Sequence, residues 1–110
     1  MKRVELIYNC DNIEIRYFNN GDERYISWEL SKSVISRLIP WWRTVKYNLK
    51  EFPIIVSKPF YEFRMDTCKY LYIKEFEGKN RNCRGSYDIP IVVIEALLDM
   101  EREGLTEKNI

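Results

Sequence analysis

Histidine and glutamine are absent from this 110-residue chain, alanine occurs once, and glycine and proline number only four each. Without histidine there is no imidazole to act as a general base near neutral pH, and no serine or cysteine has an evident base to activate it. Three cysteines, Cys10, Cys68 and Cys83, are odd in number and show no Cys-x-x-Cys spacing. Together these absences argue against a zinc site or other metal centre and against a disulfide framework, and nothing calls for a cofactor. Each cysteine is expected to serve as a small buried or half-buried apolar residue. The longest apolar stretch, around Ile89 to Leu98, is too short and too interrupted to span a bilayer. The opening residues Met1-Lys2-Arg3-Val4-Glu5 lead straight into strand-like sequence with no apolar leader. A cytoplasmic protein without a membrane partner is the expectation. Eighteen Lys and Arg against seventeen Asp and Glu leave a net charge of +1, so any case for nucleic-acid binding has to rest on local charge distribution.

What the chain does contain is one supersecondary pattern written twice. Ile13 to Phe18 alternates apolar and polar residues, Asn19-Asn20-Gly21-Asp22 is turn chemistry, Arg24 to Leu30 alternates again, and a helical run starts at Ser31. Tyr70 to Phe76, a loop through Gly78 to Asn82, Cys83 to Asp88 and a helix from Pro90 repeat that order. Neither unit can bury its apolar faces alone, so the two are expected to share one core. The chain therefore reads as one domain, residues 1–110, with internal units at about 4–48 and 53–104. Its class is α+β: two ββ(β)α units packed around one curved antiparallel sheet system.

Further elements complete the pattern. Val4 to Tyr8 reads as a first strand followed by an Asn9–Asn12 turn, and Ser31 or Ser33 can cap the first helix. Val34, Ile35, Leu38 and Trp42 form its buried stripe. Pro40 should kink or break that helix, leaving Trp41-Trp42-Arg43 to begin a second piece through Val45, Tyr47 and Leu49. Ile54 to Ser57 and Phe60 to Met65 read as strands around a Lys58-Pro59 turn. Asp88 and Pro90 mark the start of the last helix, Gly104 its stop, and Thr106 to Ile110 reads as a frayed tail.

The run Tyr70-Leu71-Tyr72-Ile73-Lys74-Glu75, a Gly-containing loop, Ser86-Tyr87-Asp88-Ile89 and an apolar helix resembles a PUR repeat, the unit of the purine-rich-element-binding proteins. The transcriptional positive cofactor four and Whirly proteins share that general topology. The resemblance covers about thirty residues of the second half, and the first half follows in outline. It implies a PUR-like or Whirly-like fold whose curved sheets hold single-stranded DNA or RNA, within one chain or as a homodimer. Near-neutral charge and the long segment from Trp41 to Lys50 depart from the family pattern.

Binding single strands takes aromatic faces for the bases and Lys or Arg for the phosphates. On the Tyr70 strand, Tyr70, Tyr72, Lys74 and Phe76 share one face while Leu71 and Ile73 take the other. If Leu71 and Ile73 pack under the helix, the first set faces solvent, with Tyr70, Tyr72 and Phe76 to stack and Arg64, Lys74, Arg81 and Arg84 to meet phosphate. Arg16, Phe18, Tyr25 and Trp28 are the counterparts in the first unit. The competing reading makes these aromatics core or cross-strand packing, since Tyr and Phe suit any sheet. A second function class is a protein-interaction module, such as a viral or phage accessory factor, using Trp41, Trp42 and Arg43 as its partner surface. A third is a metal-dependent nuclease built on Asp66, Glu77 and Lys79, a spacing that arises easily by chance. The non-catalytic single-strand binder stands first among the three.

Overall fold

A computed structural model of the chain describes residues 2–21, 23–48 and 51–110. It is an α+β structure with two sheets of four antiparallel strands and two helices. The first unit supplies β1 (Arg3–Asn9), β2 (Asn12–Phe18), β3 (Ile26–Ser31) and α1 (Lys32–Val45). The second supplies β4 (Ile54–Ser57), β5 (Tyr61–Met65), β6 (Tyr70–Glu77), β7 (Asn82–Pro90) and α2 (Ile91–Glu103). A last strand, β8 (Glu107–Asn109), follows. Sheet order is β3-β2-β1-β8 in the first sheet and β4-β5-β6-β7 in the second.

The tail expected to fray is therefore a strand. Gly104 adopts φ of +69°, a left-handed conformation that glycine takes without steric cost, and turns the chain out of α2. The N–H of Leu105 closes the helix end on the Met100 carbonyl at 2.9 Å. The chain then runs beside β1, with Leu6 N–H donating to Thr106 O at 2.8 Å and Ile110 N–H to Lys2 O at 2.8 Å. Without β8, the N–H and C=O groups along that edge of β1 would lack protein partners. The second unit thus donates its last segment to the first unit's sheet.

Ser31 caps α1 as its sequence predicts, its Oγ accepting from Val34 N–H at 3.2 Å. Val34, Ile35, Leu38, Ile39 and Trp42 are buried along one stripe. Pro40 does not break the helix: α1 runs through it to Val45, and Trp41-Trp42-Arg43 belongs to the same element. Pro40 sits on the solvent side. Water can reach the carbonyl that loses its donor there, while Ile39 and Trp42 on the inner face hold both segments to the core. Leu49 and Asp22 lie outside the described residues. The β2–β3 connection is longer than the Asn20-Gly21 signal implied, since β3 starts at Ile26 rather than Arg24. Asp88 belongs to β7, two residues before Pro90, and α2 starts without a side-chain cap; Ile91 N–H instead donates to Lys69 O at 2.9 Å.

One apolar cluster joins both units. Val4, Ile13, Ile15 and Leu30 from the first sheet meet Phe63, Met65, Leu71, Ile73 and Ile89 from the second, with the buried stripes of both helices between. The three cysteines correct an expectation: all are free and exposed. Cys10 occupies the β1–β2 turn with φ of +53°, and Cys68 and Cys83 lie near strand ends, so the turns and strand termini, rather than side-chain hydrophobicity, set their positions.

Candidate nucleic-acid interface

Leu71 and Ile73 are fully buried, which settles the orientation of β6. Tyr70, 45% exposed, Tyr72, 38% exposed, and Lys74 face solvent on the other side. Antiparallel pairing sets their neighbours. Tyr72 lies opposite Arg64 on β5 and Asp88 on β7, and Lys74 lies opposite Glu62 and Ser86. Ile55, exposed on β4 and paired with Arg64, extends the Tyr72 row. The outer face of the second sheet thus carries two open tyrosine rings with cations beside them.

Acids temper that face. Arg64 Nε donates to Asp66 at 2.8 Å, and Glu62 and Asp88 stand in the same rows as Lys74 and Tyr72. Phe76 is half-buried, with the Arg81 guanidinium over its ring at 4.3 Å from the ring centre. Arg84 is the extra residue of a β-bulge, since Glu75 pairs with Gly85 and Phe76 with Cys83.

The first sheet offers no matching platform. Phe18 is buried against Tyr25 at 5.1 Å and beneath the Arg3 guanidinium at 4.1 Å. Arg16 stacks on Tyr25 at 4.7 Å and pairs with Glu14 at 3.1 Å, which raises its pKa further. Trp28 is half-buried against the core. These aromatics and cations already have each other as partners.

Trp42 is only 1% exposed, a core residue rather than a docking surface. Trp41 is half-buried with its ring 5.2 Å from Phe63, and Arg43 pairs with Glu101 of α2. Of the three, Trp42 is withdrawn into the core, while Trp41 is half-buried and Arg43 exposed. The nuclease residues are not assembled either. Asp66 follows β5 at the end of the sheet where β6 starts, whereas Glu77 ends β6, roughly 20 Å away at ~3.3 Å per residue. Among the described residues no cluster of three metal-binding side chains occurs, and no helix is long and apolar enough to cross a membrane.

One element escaped sequence reading. The turn before β5 carries Phe60, 65% exposed, flanked by open concavities of about 560 Å³ and about 420 Å³. Lys58, Lys79 and Arg81 line the first, and Arg37 and Lys58 the second. The signal was present as Lys58-Pro59-Phe60, but an aromatic beside a strand reads as packing until the turn is seen to lift it out. No family model, curated protein or solved structure matches this chain.

Proposed function

We propose that this protein binds single-stranded DNA or RNA, without catalysis, on the outer face of the second sheet. The observation that carries this reading is the alternation along β6, which buries Leu71 and Ile73 and leaves Tyr70 and Tyr72 open beside Lys74. Every base has a π-face, so two exposed rings on a rigid strand suit successive unpaired bases whatever their sequence. A duplex, with its bases stacked internally, has no free face to offer them. Glu62, Asp66 and Asp88 keep this face close to neutral, so stacking supplies much of the affinity there, and the cations beyond Phe76 supply the phosphate contacts.

Fluorescence anisotropy with labelled single strands and duplex controls, at low and physiological salt, tests the reading. Single strands should bind in preference to duplex, with a log–log salt slope of about −3 for four neutralised phosphates. Tyr72→Ala should weaken binding by about 5- to 150-fold, the range of ~1–3 kcal/mol per stacked base. Tyr25→Ala, outside the second sheet and with Arg16 over one face of the ring, should leave it unchanged. Equal losses from the two folded variants, or no binding at low salt, would sink the proposal.

A further inference from the structure

We infer that the concavity beside Phe60 is a separate subsite for the phosphorylated end of a strand, holding a terminal phosphomonoester while the adjoining base stacks on the Phe60 ring. The inference rests on the single-strand reading for the path of the strand, and on its own residues for the end group. Tyr70, Tyr72 and Lys74 form a row on one face of β6 that leads to Phe76 and the Gly78–Arg81 turn, and Phe76 N–H donates to Phe60 O at 2.9 Å. A strand lying along the tyrosines therefore arrives at Phe60.

The charge pattern changes at that end. On the sheet face Arg64 is tied to Asp66, but Lys58, Lys79 and Arg81, which line the concavity, make no ion pair among the described residues. Arg81 is held in place before any ligand arrives. Its Nη2 donates to Ser57 Oγ at 3.1 Å and to Lys58 O at 3.0 Å, and its guanidinium plane lies over Phe76. The Nε–H and both Nη1 hydrogens remain without a protein acceptor among the described residues, so each can donate singly to a phosphate oxygen. An internal phosphodiester carries one negative charge, whereas a terminal monoester carries close to two near pH 7, its second pKa being about 6. Three cations in the lining of one concavity, with no acid in that lining, favour the more highly charged group, and the exposed Phe60 ring beside them takes one base.

The test uses dithymidylates with a 5′-phosphate, with a 3′-phosphate or with neither. These are too short to cover both Phe60 and Tyr72, since Phe76 and Tyr72 alone are about 13 Å apart at ~3.3 Å per residue. A dinucleotide phosphorylated at one end should bind at least tenfold more tightly than the unphosphorylated one, and the preferred end identifies the strand's direction. Phe60→Ala and Arg81→Gln should each abolish that preference, and Tyr72→Ala should leave it intact. Phe60 is exposed enough for its alanine variant to fold, which circular dichroism verifies. Indifference to the end phosphate, or a preference that survives both tip variants, overturns the inference. If a twelve-nucleotide strand with hydroxyl ends still binds through Tyr72, the sheet reading stands alone. If only the phosphorylated dinucleotide binds, the tip site stands and the sheet reading falls.

Discussion

The carboxylate of Glu75, on the second sheet, accepts the backbone N–H of Ser31 at 3.1 Å, where β3 of the first sheet passes into α1. Glu75 is 3% exposed and is the one charged residue buried among the described residues. Parity on β6 places it on the same inner face as Leu71 and Ile73. A charge so buried has to be hydrogen-bonded. It accepts from Ser31 of one unit, and its charge acts on the Tyr87 phenol of the other, so a single side chain couples the two units.

Glu75→Ala should therefore lower stability by about 1–3 kcal/mol, because it leaves the Ser31 N–H without its acceptor. Glu75→Gln keeps a carbonyl oxygen and should cost about half as much. Urea denaturation of the three proteins measures both, and equal costs would show that the charge and shape of the carboxylate, not its acceptors, matter.

Tyr87 gives this link a pH dependence. Burial first, then the charge of Glu75 and the hydrogen bond to it, push the phenol up to about 12 from its ordinary 10. A raised pKa means the folded state favours the protonated phenol. The stabilisation is complete below pH 10 and is lost as pH rises through about 12. The urea midpoint should fall across that window, and the fall should shrink in Tyr87→Phe. Phenolate absorbance should show Tyr87 ionising late in the folded protein.

Gly85 makes room for that contact. A Cβ at this position would lie 2.2 Å from the Tyr87 hydroxyl oxygen and 2.6 Å from its ring carbon Cζ, so the ring lies across the bare glycine to reach Glu75, which pairs with Gly85 on β6. Gly85→Ala should cost about 1–3 kcal/mol by forcing the ring away. In a Tyr87→Ala background nothing remains to displace, and the same change should cost well under 1 kcal/mol. Denaturation of the four proteins completes the cycle, and additive costs would refute the account.

Removing residues 105–110 should bare the β1 edge that β8 covers. It also removes the Glu107 partner of Arg3 and the Lys108 contacts with Asp99 and Glu103. The shortened chain should be less stable and should self-associate through the open strand, measurable by thermal denaturation and sedimentation velocity. A monomer of unchanged stability would mean that β8 contributes little.

Local pattern alone determined the α+β class, the order of elements from β1 to α2, a serine cap at Ser31 or Ser33 and the stop at Gly104, because alternation, helical spacing and turn chemistry are properties of neighbouring residues. It also divided β6 into a Tyr70-Tyr72-Lys74 face and a Leu71-Ile73 face. Which face met solvent was decided by the second unit's core, since either set can be buried in a sheet. Packing at a distance decided the rest. Thr106 to Ile110 has no strand pattern of its own and becomes β8 because β1 offers an edge. Pro40 stays within a helix because Ile39 and Trp42 anchor both sides of it in the core. Arg16 and Tyr25 satisfy each other across a loop, whereas Phe60 and Arg81, from two different turns, meet at one end of a sheet. Contacts between residues far apart in the chain depend on how the units dock, and no local periodicity encodes them.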